Sequence, residues 1–345
     1  MRRGVLLVPA LLACAGSPPP PVAAPPPALV RAPAPALPPP PHELTASPLV
    51  ITLVDGETAQ VFHIVDQLSA WYPQAHAQYG EWAQKEMPLD DAERAMLAKH
   101  AALRRKRRWG ALDQAFDVSL PIGEAARAAA EKKLLPPRDA EQEQTLLEHF
   151  AGRLEPLLGS QRGAITELEA RLASELPRAA PFVAQLGRFC GAAVKVPVRV
   201  VLVANPLAAK GEAIAKGGAL VLEVPSGDDT LPTFFHELGH ALLVQRRGTI
   251  AMAAARCEEP VDDETLEEGL AYAFAPGLVH PAGHDLLLDA VNEDRSKSLG
   301  NARVRSERLG LALRTELAGS LEGGHDMIDG FMPKECEAWA KVARP

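Results

Sequence analysis

The residues best suited to chemistry lie between Thr230 and Gly248 of the 345-residue chain, in TLPTFFHELGHALLVQRRG. This stretch contains His236-Glu237-Leu238-Gly239-His240, an H-E-x-x-H. On a helix, positions i and i+4 share one face, a single turn apart. Both imidazoles can then offer a nitrogen to the same metal ion. Glu237 would stand beside that ion, where it can accept a proton from a water the metal has acidified. Two histidines and one further protein ligand make the usual catalytic set for Zn2+, with a water in the remaining position.

This reading holds only on a helix, and the flanking residues predict one. Ser226-Gly227-Asp228-Asp229-Thr230 is rich in turn and cap residues, and Thr230 is the expected N-cap. Pro232 is tolerated in a first turn. Phe234, Phe235, Leu238, Ala241, Leu242 and Leu243 give a broad apolar surface at helical spacing. Arg246 and Arg247 suit a last turn, and Gly248 suits the C′ position. Gly239 costs about 1 kcal/mol against Ala. Its missing side chain leaves room for another element to approach. The plain alternative is two surface histidines beside a glutamate. The apolar flanks oppose it, because they bury this face and buried imidazoles need partners.

A third ligand is expected from residues 261–274, VDDETLEEGLAYAF. Asp262 and Asp263 can cap a helix, Leu266, Leu270, Ala273 and Phe274 form its apolar face, and Glu267 and Glu268 fall near the boundary. Taken alone, these acids read as a solvated helix start. Taken together, H-E-x-x-H and a second helix carrying Glu268-Gly269-Leu270-Ala271 resemble the gluzincin zinc metallopeptidases, which include thermolysin and the zinc aminopeptidases. The resemblance covers roughly residues 190 to 330. It implies an α+β, mainly helical fold, with a small strand region before the active-site helix and a helical N-terminal portion. It also implies hydrolysis of peptide bonds in a peptide or protein substrate. Carried over, His236, His240 and Glu268 are the metal ligands and Glu237 the general base, with Glu267 the alternative third ligand. The H-E-x-x-H-x-x-G-x-x-H extension of metzincins is absent.

Peptide hydrolysis also needs a donor for the developing oxyanion. Thermolysin-like enzymes place a His in a Gly-Gly-x-His setting downstream. Gly323-Gly324-His325-Asp326 is similar but one residue tighter. His325 is therefore favoured over His280 and His284, with Tyr272, one turn beyond Glu268, second. The G-x-M-E-N motif that binds a substrate amine is missing, so aminopeptidase activity is not expected.

The rest of the chain suggests where this chemistry takes place. Residues 1–13 read as an export signal: Arg2 and Arg3, then a short apolar run that cannot span a bilayer. Leu11-Leu12-Ala13-Cys14 resembles a bacterial lipobox, which implies cleavage before Cys14 and lipid on its sulfur. Ala15, rather than Asp, implies an outer-membrane lipoprotein. An ordinary secretory signal with an incidental Cys is the alternative. Residues 14–46 read as lipidated Cys and Pro-rich tether. The thirteen prolines between 18 and 41 favour extended polyproline II with a reach of about 75 Å.

Residues 47–185 then read as a helical N-terminal region and 186–345 as the catalytic region. Leu49 to Val54 predicts a strand. Prolines at 88, 121 and 136–137 divide residues 57–180 into four to six helices. Residues 196–203 and 218–224 predict two more strands, with 205–217 a long connection folding over the site. By the same resemblance, the strand at 218–224 should edge the cleft. The basic run Leu103 to Trp109 reads as a solvated helix face. With a net charge of −8 and no recognition motif, nucleic acid is not an expected partner. Cys190, Cys257 and Cys336 allow three disulfide pairings, and none has Cys-x-x-Cys spacing.

A rival reading uses the same architecture to bind a cell-envelope partner without cutting it. The intact Glu237 counts against this, since a purely structural site needs no base. A passive envelope spacer would explain the tether but neither motif helix.

Overall fold

Short runs of β-branched and aliphatic residues build one five-stranded sheet. The computed structural model describes residues 42–46, 49–72, 77–107, 110–192, 197–207, 213–216, 219–224, 230–274, 302–323 and 331–343. Its strands are β1 (His42–Ala46), β2 (Leu49–Val54), β3 (Val198–Ala204), β4 (Ala213–Lys216) and β5 (Ala219–Val224). They lie in the order β1-β2-β3-β5-β4. The three central strands are mutually parallel, and β1 and β4 run antiparallel at the two edges. The near-continuous apolar runs of β3 and β5 suit strands covered on both faces.

The described helices are α1 (Glu57–Ser69), α2 (Ala77–Glu86), α3 (Asp91–Arg107), α4 (Ala111–Phe116), α5 (Ile122–Glu131), α6 (Pro137–Cys190), α7 (Thr230–Leu243), α8 (Arg247–Ala254), α9 (Asp263–Phe274), α10 (Ala302–Gly323) and α11 (Met332–Ala343). The fold is thus α+β and mainly helical. Six helices occupy residues 57–190, and Pro121 and Pro136 stand at the N-caps of α5 and α6. No described helix is long and apolar enough to cross a membrane.

Sheet and helices share a layered core. Ile51, Val200, Leu202, Leu220 and Leu222 face residues 165–183 of α6 and Phe234, Phe235 and Leu238 of α7. Val54, Val201, Val203, Ala219 and Val221 face the other way, onto Ala59 of α1. The N-terminal half of α6 packs with α1, α3, α4 and α5, and its last turn packs with α9, α10 and α11. At 1.5 Å per residue its 54 residues extend about 80 Å. It therefore reaches three of the four apolar clusters, each through a different stretch.

Four expectations change. β3 and β5 pair in parallel, and β4 forms within the connection 205–217 and pairs with β5. β5, bonded on both sides, is not the edge strand that the resemblance implied; β4 lies at that edge of the described sheet. The helix of the metal motif stops at Leu243, and a 3-10 turn, Val244–Arg246, leads into α8. Gly248 therefore sits in the first turn of α8 rather than at a C′ position, because burial of Ile250 and Ala254 rewards a new helix there. The sheet also takes in β1, from the end of the stretch whose composition reads as tether.

The fourth change concerns the basic run. Arg104 is fully buried and donates to Asp66 at 2.7 Å and to Asp113 at 2.9 Å. Its guanidinium lies 4.5 Å from the Trp71 ring centroid. Arg107 pairs with Asp139 at 3.0 Å, while Arg105 and Lys106 are exposed. Burying Arg104 is tolerated because two carboxylates neutralise it.

His100 completes this network. Its ring nitrogens meet Glu143 at 2.6 Å and Asp66 at 2.8 Å, and all three groups are buried. The cluster ties α1, α3, α4 and α6 together. A second buried contact ties the sheet to α1 and α2: Glu223 of β5 meets the His63 ring and accepts from the Tyr79 hydroxyl, both at 2.8 Å.

Cys257 and Cys336 form a disulfide, with Cα atoms 5.1 Å apart, and Cys190 is a buried thiol outside that bridge. The bridge closes a sequence separation of 79 residues. In the chain-entropy account that is worth about 4–5 kcal/mol.

Burial alone would lower the pKa of His100. Glu143 and Asp66 outweigh it and raise the pKa to about 9. The protonated ring therefore stabilises the fold fully below the ordinary value near 6.5, and this contribution fades as pH rises through 9. We expect urea-unfolding free energy to fall by about 3 kcal/mol from this group across that interval. The His100 ring should titrate near pH 9 by NMR. A ring that titrates near 6.5 would contradict the cluster.

Candidate metal centre

The two motif helices meet because each is held on both sides. Phe234, Phe235 and Leu238 dock the first half of α7 on the sheet cluster, and Leu242 and Leu243 dock its end against α9. The Asp262 carboxylate caps α9, accepting from the Thr265 amide at 2.7 Å and the Thr265 hydroxyl at 2.9 Å. Leu266, Leu270, Ala273 and Phe274 bury one side of α9 and leave Glu267 and Glu268 at its edge.

Gly239 sets how near α9 can come. A Cβ there would meet Phe274 Cδ2 at 3.1 Å and the Ala271 Cα at 3.5 Å. An added Cβ would need the Phe274 ring to give by a few tenths of an ångström and would be in ordinary contact with Ala271, so a side chain beyond Cβ is what would have to move α9 and its carboxylates. The sequence cost of a mid-helix glycine is thus offset by a close crossing.

At that crossing, His236 Nε2 lies 3.3 Å from Glu268 Oε1, and His240 Nε2 lies 3.0 Å from Glu268 Oε2. The two Nε2 atoms are 3.2 Å apart. One donor atom from each residue lies within 4.8 Å of the others. Bonds of 2.0–2.1 Å to a tetrahedral ion separate ligand atoms by about 3.3 Å, so these donors fit zinc in both chemistry and spacing. His236 and His240 are 12 % and 20 % exposed and Glu268 31 %, so solvent reaches the cluster.

Glu267 occupies a different place. Its Oε1 lies 3.2 Å from His240 Nδ1, on the opposite side of that ring from Glu268. A carboxylate there holds the proton on Nδ1 and presents Nε2 as the ligand atom. The two adjacent acids thus meet opposite sides of the His240 ring, a difference that adjacency alone left open.

The site favours positive charge. Burial would lower the His240 pKa, but Glu267 and Glu268, with Glu237 adding its charge, raise it to about 10. Burial would raise that of Glu268, but His236 and His240 hold it well below the usual carboxylate range. Glu237 itself is half-buried and close enough for its charge to act on His240.

Tyr272 also belongs here. Its ring centroid lies 4.4 Å from that of His236, and its hydroxyl donates to Glu307 of α10 at 3.5 Å. Sequence reasoning missed both contacts. Tyr272 follows Glu268 by one turn, a usable signal; Glu307 lies 35 residues away in sequence and carried none. His280, His284, His325 and Cys14 lie outside the described residues. Comparison with protein-family models, curated proteins and solved structures gives no match to this chain.

The geometry separates the two acids by experiment. Replacing Glu268 with Ala should abolish tight zinc binding in a chelator competition. Glu267→Gln should weaken it roughly 10- to 100-fold. Loss of zinc on Glu267→Ala alone, with Glu268→Ala unaffected, would exchange their roles.

Proposed function

We propose that the chain is a zinc-dependent peptidase of the bacterial cell envelope. The observation that carries this reading is the convergence of His236, His240 and Glu268 with Glu237 beside them. His236, His240 and Glu268 would hold the ion, which supplies Lewis acidity and a water acidified toward neutrality when bound. Glu237 takes the proton from the attacking water and returns it to the leaving amine nitrogen. The water oxygen bonds to the peptide carbon, and the C–N bond breaks.

A peptide substrate is supported by β4. Among the described residues it is the edge strand beside α7, paired with β5 alone. An extended chain can add to such an edge through backbone hydrogen bonds. The resemblance to gluzincins rests on the two motifs and this crossing of α7 and α9. His325 is retained as the proposed oxyanion donor from its sequence setting.

Placement in the envelope is supported by residues 1–15, in which the likeness of Leu11-Leu12-Ala13-Cys14 to a lipobox, with Ala15, implies an outer-membrane lipid anchor on Cys14. The disulfide between Cys257 and Cys336 suits an oxidising compartment.

The deciding variant is Glu237→Gln, which keeps the side-chain size and removes the base. Zinc should stay bound at full stoichiometry, while cleavage of a diverse peptide library falls by at least a hundredfold. A wild-type protein that holds zinc and cleaves no member of that library would overturn the hydrolase assignment and favour a binding protein.

A further inference from the structure

The two histidines are supported in unlike ways. His240 has the Glu267 carboxylate on its Nδ1. The corresponding atom of His236 is buried and has no hydrogen-bond partner among the described residues. The ring of Tyr272 packs against His236 instead, with centroids 4.4 Å apart and planes 48° apart.

Tyr272 is itself held tightly. A Cβ at Gly310 of α10 would overlap the Tyr272 Cβ and would lie 3.0 Å from the Gly269 carbonyl oxygen. Only a glycine lets α10 approach α9 at this point. Arg314 of α10 donates to the Tyr272 carbonyl at 3.4 Å, and Glu307 accepts from its hydroxyl. Leu309, Leu313 and Leu317 bury the remainder of this crossing.

We infer that Tyr272 is the positioning residue of His236: its aromatic face, braced by α10, fixes the ring orientation that a hydrogen-bonding carboxylate fixes at His240. The inference rests on the metal-centre reading above. On the Nδ1 side, away from Glu268, no hydrogen bond among the described residues helps to set the His236 rotation about χ2, so packing must set it there. The ring of Tyr272 supplies that packing, and its hydroxyl is secondary. Tyr272 therefore acts through His236 on metal affinity.

Zinc affinity, measured by chelator competition on the full chain, tests this without any activity assay. Tyr272→Phe keeps the aromatic face and should change the dissociation constant less than threefold. Tyr272→Leu, which fills much of the space without a flat ring, should weaken zinc roughly 10- to 100-fold. Tyr272→Ala should do the same or more. Metal-free melting temperatures identify damage to the fold: the Leu variant should melt close to wild type. Its Co2+ absorption bands should shift, whereas those of the Phe variant should match wild type. Zinc affinity unchanged in the Leu variant would overturn the inference, as would a Phe variant that loses as much affinity as Leu. Failure of the wild-type protein to bind zinc would instead overturn the metal-centre reading.

Discussion

The structure depends on the distance between α7 and α9. Two helices of ordinary residues cross with their axes about 8–10 Å apart, according to the side chains at the contact. Here Gly239 places no side chain between α7 and the Ala271 backbone. The Glu268 carboxylate therefore comes within hydrogen-bonding distance of both imidazoles. Gly310 repeats the device between α9 and α10, where the backbone carbonyl of Gly269 is the neighbour. The three helices form a stack in which each crossing is set by a missing side chain, and the polar cluster inherits its geometry from that stack.

Charge is handled differently in the two halves of the molecule. In the helical region, His100 and Arg104 are buried and matched by Asp66, Asp113 and Glu143, so the network is closed and inaccessible. Such a network gives four helices a fixed relation rather than reactivity. Around α7 the balance is opposite. Glu237, Glu267 and Glu268 surround two imidazoles in a place that solvent reaches, and the surplus of negative charge favours a cation. Buried charge is common to both; access separates a strut from a site. The buried Glu335 of α11 is a third case. Among the described residues neither of its oxygens has a hydrogen-bond partner, and burial raises its pKa well above the usual carboxylate range.

The disulfide and α6 connect these regions mechanically. Cys257 follows α8 and Cys336 lies in α11, so the bridge spans the part of the chain that holds α9 and α10. The end of α6 contributes Leu186 and Phe189 to the same cluster. Support for the candidate metal centre therefore comes from segments on either side of it in sequence, although every proposed ligand lies within residues 236–268.

Much of this was legible in the sequence. Spacing placed His236 and His240 on one helical face, and the Asp262 cap and apolar periodicity of α9 placed Glu268 at a helix edge. These are local properties, fixed by a 3.6-residue repeat and by capping chemistry. Short runs of β-branched and aliphatic residues likewise revealed β2, β3 and β5. The remainder was decided by contacts between residues distant in the chain. Only the crossing angle of α7 and α9 assigns Glu268 to the Nε2 side and Glu267 to Nδ1, since neighbouring positions on a helix are chemically identical until a partner distinguishes them. Arg104 reads as one member of a basic run until Asp66 and Asp113 surround it. Parallel pairing of β3 with β5, which made β4 the free edge, follows from the layering of α1, α6 and α7 about the sheet. Sequence determines what each residue can do within a turn or two of its own backbone; tertiary packing determines which neighbour it meets, because that depends on how closely separate helices approach.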